Sequence, residues 1–299
     1  MDIFIICQKW CDHSVALLGY AKPTIYRYKQ VIRFFCKFAH VSEVNQINDD
    51  NLRGFFYWGR TELGWNPNTF RHYHKTLLVF MRYCIKNGYT TEQKNLLNDI
   101  EVPKLEKKLP PKLTRQQAER LLEIVYNYPW DYKYLRYRNH AIFSTFLFAG
   151  LRKNELLNLK FYDVDIENLS IFIRQGKGSK DRVVPMSYTL AQSLKKYKDE
   201  RKRLNKTCPQ FFASLNRNMG FTSDGLVRLV KQIRKSSGIV FSCHKLRHSF
   251  ATLMLEGGCD IFSLSKMMGH SDIKTTTIYL AASVEHLRSQ MTKHPLNDM

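Results

Sequence analysis

His244-Lys245-Leu246-Arg247-His248-Ser249-Phe250-Ala251-Thr252 is followed by Gly257-Gly258, then by Met268-Gly269-His270-Ser271, then by Thr275-Thr276-Thr277-Ile278-Tyr279-Leu280. This run decides the reading of the chain. His244 and Arg247 stand three apart, so on a helix they share one face. One can bind a phosphate oxygen while the other handles a proton. His248 follows directly and reads as structural, because on the helix it faces elsewhere. Gly269 can turn a helix end and presents His270, and Tyr279 closes the run. Two histidines, an arginine and a tyrosine therefore fall within about one helix-turn-helix, around a single hydroxyl.

Upstream, Gly150-Leu151-Arg152-Lys153-Asn154-Glu155-Leu156 supplies a second arginine. Taken alone, Arg152 would read as a structural ion-pair former with Glu155. Ahead of it, Asn139 to Phe148 forms a strongly apolar helix that Gly150 stops. Leu169 to Ile173 and Arg182 to Pro185 are short β-prone runs around Gly176-Lys177-Gly178-Ser179-Lys180, a hairpin with a basic tip. Helices resume from Ser187 and from Thr222 to Ser236. These cations suit attack on a phosphodiester, whose own charge repels nucleophiles and grows in the transition state. Arginine donates two parallel hydrogen bonds to the non-bridging oxygens and stays charged. A tyrosine hydroxyl is protonated near neutrality and needs such neighbours and a base before it can attack.

Towards the N-terminus, residues 102–112 carry three prolines and four lysines and read as an extended tether between domains 1–101 and 113–299. Thr114 and Gln117 form a capping-box pattern that restarts helix. The first domain reads as helical. Ile25, Tyr28, Ile32, Phe35 and Ala39 recur at helical spacing after Pro23, and Leu52, Phe55 and Phe56 follow Asp49-Asp50. Asn68 is the expected N-cap of a further helix with Phe70, Tyr73, Leu77, Met81 and Cys84 as its apolar stripe and Gly88 as its stop. Arg71, His72, His74 and Lys75 fall on the other side of that helix, a basic face suited to DNA. The fold class expected is mainly α: an N-terminal helical domain, then a mixed α/β, mostly helical domain with a small hairpin or sheet.

Lysine and arginine number 47 against 26 aspartates and glutamates, a net charge of +21 in 299 residues. Nucleic acid is the polyanion this favours. The longest near-apolar run, Ala141 to Leu151, is far short of the roughly 20 residues of a spanning helix, and the start has an acid where a signal peptide carries basic residues. An intracellular, cytoplasmic and nucleoid-associated protein is expected. The seven cysteines are scattered and read as buried or half-buried thiols, not as a disulfide scaffold or metal site. Gly176-Lys177-Gly178 lacks the P-loop pattern. Serine nucleophile elbows, paired carboxylates and zinc-ligand spacings are missing too, so neither cofactor nor metal is expected.

The order and local sequence of these pieces resemble the tyrosine recombinases, the lambda-integrase family, most closely its compact Xer-like and mobile-element-encoded members. His244 to Thr252 looks like the family's H-x-L-R-H-[ST]-x-A-[ST] signature, and Gly269 to Tyr279 fits G-H-S-x-x-x-T-T-x-x-Y. The resemblance covers Leu113 to Tyr279 closely and the first domain in outline, where it implies a SAM-like core-binding domain. It implies catalytic roles for Arg152, Lys177, His244, Arg247 and His270, with Tyr279 as nucleophile and Lys177 protonating the leaving 5′ oxygen. Lys180 and Arg182 are read as DNA contacts, Arg182 to a backbone phosphate. Met267-Met268 replaces the commoner aliphatic pair before Gly269, and the arm-binding domain of the larger phage integrases is not expected here.

The expected activity is site-specific recombination through a 3′-phosphotyrosyl intermediate and a Holliday junction, in integration, excision, transposition or chromosome-dimer resolution. The expected partners are double-stranded DNA with paired inverted-repeat core sites and three further copies, a tetramer on two duplexes, with a related second recombinase as a variant of that assembly. DNA is expected to lie between the two domains in a clamp closed by the tether. The segment from Val284, with Leu287 and Met291 at helical spacing, is expected to dock in a neighbouring protomer. The competing readings are a type IB-like topoisomerase, which shares the chemistry, and a DNA-binding protein on a recombinase scaffold, which would have lost a catalytic residue.

Overall fold

The Asp2 carboxylate accepts hydrogen bonds from the backbone N–H groups of Phe4 and Ile5 at 2.8 and 3.0 Å. It thereby starts helix α1 (Ile3–Ala16), to which the sequence reading assigned no element. Ile3, Ile6, Cys7, Trp10, Cys11 and Ser14 are buried along it, a helical stripe. The computed structural model describes residues 1–91, 95–105, 110–174, 181–270 and 272–280. The chain divides into two units, Met1–Lys107 and Lys108–Met299, each with its own apolar core.

In the first unit, α2 (Lys22–Ala39) has proline in its opening turn and ends at His40 in the left-handed region. Ile25, Ile32 and Phe35 are buried at the expected spacing. Asn48 and Asn51 exchange hydrogen bonds to start α3 (Asp49–Thr61). Helix α4 (Pro67–Lys86) is capped by Asn66, which accepts from the Thr69 N–H at 2.9 Å. Asn68 is therefore inside the helix, because Pro67, with φ already helical, suits the first helical position. The Phe55 ring sits at the centre of this unit's core, against the rings of Phe34, Phe35, Phe38, Phe56, Trp65 and Tyr73.

The second unit begins with α5 (Arg115–Asn127), where Thr114 and Gln117 form the expected capping box. Helix α6 (Lys133–Ala149) starts ahead of Asn139 and buries Ala141, Ile142, Phe143, Phe146 and Ala149 as well as Asn139, Ser144 and Thr145. Burial on every side marks it as the central helix. It stops at Gly150, whose φ is +60°. A Cβ at Gly150 would lie 2.2 Å from the Phe250 ring, so glycine is needed both for the turn and for the close approach.

After α7 (Lys153–Asn158) come three antiparallel strands in chain order: β1 (Val164–Asp165), β2 (Ser170–Ile173) and β3 (Arg182–Pro185). The expected hairpin pairs β2 with β3, Ile171 opposite Val184 and Ile173 opposite Arg182. The short β1 beside β2 adds a strand the sequence did not announce. The hairpin tip, 175–180, lies outside the described residues. Helices α8 (Tyr188–Arg203) and α9 (Ser223–Ser237) are capped by Ser187 and Thr222. The chain continues through α10 (Cys243–Glu256), α11 (Ile261–Met268) and α12 (Lys274–Leu280).

These last three helices enclose a small separate cluster: Phe250, Ala251, Leu255, Leu264, Met268 and Tyr279. The result is the mainly α fold with a small antiparallel sheet that the sequence indicated. Five cysteines are buried and Cys243 and Cys259 are half-buried, all as free thiols. No helix among the described residues is long and apolar enough to cross a membrane.

Candidate active site

One carboxylate organises the site. Glu155, in the first turn of α7, is 6% exposed and accepts from three directions. Arg182 approaches it bidentately, Nη1 to Oε1 at 2.9 Å and Nη2 to Oε2 at 2.8 Å. The Arg152 Nη1 donates to Oε1 at 2.7 Å and the Arg152 backbone N–H to Oε2 at 2.8 Å. Arg152 is the N-cap of α7, and both of these bonds run from it to the carboxylate of Glu155 in the first turn. Burial pushes the Glu155 carboxyl up, but the hydrogen bonds and charge of Arg182 and the two bonds from Arg152 outweigh it and hold it at about 2. Replacing one partner of such a pair would leave an uncompensated buried charge.

Arg247, on the buried side of α10, donates Nη1 to the Gly150 carbonyl at 2.5 Å and Nη2 to the Met268 carbonyl at 2.7 Å. Its Nη1 is 3.9 Å from Glu155 Oε2. Arg152 Nη2 donates to the Gly269 carbonyl at 2.9 Å, and Arg182 Nε to the Met267 carbonyl at 2.8 Å. Three arginines thus converge on the C-terminal end of α11, where free carbonyls accept cations readily. Gly269 ends that helix with φ +65°, and a Cβ there would meet Arg182 Nη1 at 2.8 Å. His270 follows, its Nε2 at 3.2 Å from Arg247 Nη2 and its Nδ1 at 2.8 Å from the Thr276 hydroxyl. Burial, then Arg247, Arg152 and Arg182, push His270 down to about 4. Burial and the same crowding of like charge bring Arg247 down to about 10.

Tyr279, on α12, is 2% exposed, and its hydroxyl is 2.8 Å from Nδ1 of His248. Burial raises the phenol above its ordinary value, against the lowering influence of Arg247 and Arg152. The expected set is therefore brought together in part. Arg152, Arg247 and His270 converge around Glu155 and the end of α11, and Tyr279 packs on α10 beside them. His244 is exposed, one turn before His248 on α10. Lys177 and Lys180 fall outside the described residues.

Three readings are corrected. Arg182 is not an exposed phosphate contact. As the first residue of β3 it shares a face with Val184, the buried face, and both ends of its fork are engaged by Glu155. His74 does not join the basic face of α4. It lies four residues after Phe70 and three before Leu77, on the apolar stripe, and its buried Nε2 is 2.8 Å from the Leu97 carbonyl. Arg71, His72 and Lys75 are exposed on that helix, and Arg71 Nε donates to the Pro103 carbonyl at 2.9 Å. His248 does not face away from the site but touches Tyr279. Only the packing of α12 on α10 shows this, whereas Glu155 had a sequence signal in its spacing from Arg152.

The Phage integrase family profile matches residues 111–286, and that of the phage integrase N-terminal SAM-like domain matches residues 8–91. The tyrosine recombinase XerA of Thermococcus kodakarensis is 34% identical over 275 residues, covering 82% of this chain and 89% of that protein. The tyrosine recombinase XerD of Listeria monocytogenes is 32% identical over 273 residues, covering 87% and 88%. Among solved structures, the XerH site-specific recombinase bound to palindromic difH substrate, a post-cleavage complex, aligns with TM-score 0.72 at 25% identity over 96% of this chain and 83% of that one. The chain belongs to the phage integrase family. It is a tyrosine site-specific recombinase, an Xer-like member of that family.

Proposed function

We propose that Tyr279 attacks the scissile phosphodiester of a double-stranded DNA core site, forms a 3′-phosphotyrosyl bond and releases a 5′ hydroxyl. The observation that carries this reading is the convergence of Arg152, Arg247 and His270 on the turn after α11, with Tyr279 on the next helix. The two guanidinium groups supply the charge that a metal ion supplies elsewhere, and the phosphotyrosine conserves bond energy for rejoining. Lys177 serves as acid to the leaving oxygen, and His244, with Arg247, belongs to the catalytic set by family resemblance. Arg71, His72 and Lys75 of the first unit and Lys180 of the second contact the DNA backbone. The substrate is a pair of inverted-repeat core sites, the assembly is a tetramer on two duplexes, and the protein acts at the nucleoid.

A nicked suicide substrate tests the reading. Tyr279→Phe should bind DNA like the parent and trap no covalent adduct, and the parent should trap adduct in excess EDTA. An adduct formed by Tyr279→Phe overturns the assignment of the nucleophile. Loss of parent activity in EDTA, restored by a divalent ion, overturns metal independence. Adduct without strand exchange between two sites would place the chain with the topoisomerase-like enzymes.

A further inference from the structure

We propose that His248 holds the attacking hydroxyl of Tyr279 and takes its proton as the phosphotyrosyl bond forms. The inference rests on Tyr279 being the nucleophile. The contact is direct: Nδ1 of His248 is 2.8 Å from the Tyr279 hydroxyl, with the two rings 5.5 Å apart and tilted by 50°. Both groups are held by their neighbours. Tyr279 packs with Phe250, Leu255 and Met268, and the His248 carbonyl accepts the Thr252 hydroxyl at 3.0 Å. Arg247, the preceding residue, turns to the other side of α10 and reaches the carbonyls of Gly150 and Met268. One turn of α10 therefore offers a phosphate-binding cation and a proton acceptor side by side.

The electrostatics agree with that division. A buried phenol, raised above its ordinary value, keeps its proton at neutral pH and needs a base within hydrogen-bond reach. The groups facing this pair are His244 and Arg247 on α10, with Arg247 and Arg152 acting on Tyr279. Burial, then His244 and Arg247, lower His248, so its ring is neutral at neutral pH and able to accept. In the step, the bond from the Tyr279 oxygen to phosphorus forms and the bond from phosphorus to the 5′ oxygen breaks. The phenol proton passes to Nδ1, and the leaving oxygen takes its proton from a separate acid, assigned above to Lys177. In rejoining, the 5′ hydroxyl attacks and gives up its proton, and Tyr279 recovers its own from His248. The burial and the neighbouring charge of Arg247 that keep His248 neutral also make its imidazolium a ready donor, which suits a step that must reverse.

The test is the rate of adduct formation by the full-length protein on a nicked suicide substrate, across pH. A second substrate carries sulfur in place of the 5′ bridging oxygen, so that its leaving group needs no acid. His248→Gln should slow adduct formation by roughly 100- to 10,000-fold on both substrates and lose the acidic limb of the profile. Its DNA affinity should match that of the parent. The parent on the sulfur substrate supplies a measurement that needs no variant: its rate should fall as pH drops below the ordinary histidine range. Adduct formed by His248→Gln at the parent rate or faster, or a parent profile on sulfur without that limb, overturns the proposal. Tyr279→Phe run in parallel separates the two ideas, because an adduct there defeats the nucleophile assignment, whatever His248 does.

Discussion

The two halves of the site are built by different physics. On one side, Arg152, Arg182 and Arg247 are pinned by charge-assisted bonds to Glu155 and to the carbonyls of Gly150, Met267, Met268 and Gly269. On the other, Tyr279 rides on a seven-residue helix and is held, among the described residues, by a small apolar cluster and a hydrogen bond to His248. The first half is a fixed geometry for an anion, in which every donor already has a direction before substrate arrives. The second half orients one hydroxyl by packing, and packing of this kind depends on a few side chains. Preorganisation of charge and placement of the Tyr279 hydroxyl are therefore separable properties of this fold.

Glu155→Gln should have the largest effect, on the charged half. Removing the carboxylate leaves three clustered arginines without their shared counter-charge, and losing one partner of a buried pair costs about 3–5 kcal/mol. The sign with pH follows from Glu155 being held at about 2 against an ordinary 4.5. Its contribution, about 3 kcal/mol, is present above pH 4.5 and lost as pH falls towards 2. Denaturant titration of parent and variant should show the two stability curves converging over that interval. Curves that stay parallel would mean that Glu155 does not organise the cluster.

Gly150→Ala strikes the joint between the halves, since Gly150 gives its carbonyl to Arg247 and its open side to the Phe250 ring. A left-handed alanine and the collision together should cost about 2–4 kcal/mol, read as a lower thermal midpoint. Adding Phe250→Leu should recover part of the loss, and failure to do so would assign the whole cost to the backbone.

Thr276→Val is the mildest of the three. It removes the fully buried hydroxyl on His270 Nδ1, with an expected cost of about 1–2 kcal/mol. Because α12 carries both Thr276 and Tyr279, adduct formation should fall about tenfold while DNA affinity holds. An unchanged cleavage rate would show that α12 is set without the His270 contact.

Much of the fold was legible because its signals are local. The Thr114–Gln117 cap, the apolar run of α6 ending at Gly150, the hairpin strands and the caps at Ser187 and Thr222 each follow from a few neighbouring residues. Helix α1 is less legible, because its signal is a single capping residue, Asp2, which as a charge speaks equally against a signal peptide. The placement of Arg182 and His74 failed for a related reason. Both are basic, and basicity alone says nothing about which side of a strand or helix a residue occupies. Register and period do: Arg182 alternates in step with Val184, and His74 falls on the line from Phe70 to Leu77.

The chemistry on offer is written in the sequence: two arginine motifs, His270 and Tyr279 at fixed spacings, and a basic chain suited to DNA. The helices are written there too, because caps and periodicity act over a few residues. Tertiary structure alone decided which of these groups touch. Glu155 and Arg182 stand 27 residues apart, Arg152 and Gly269 117, and His248 and Tyr279 31. No local pattern connects positions so separated. Their meeting is enforced by burial, which admits a charge only with a partner and a phenol hydroxyl only with something to receive its hydrogen bond.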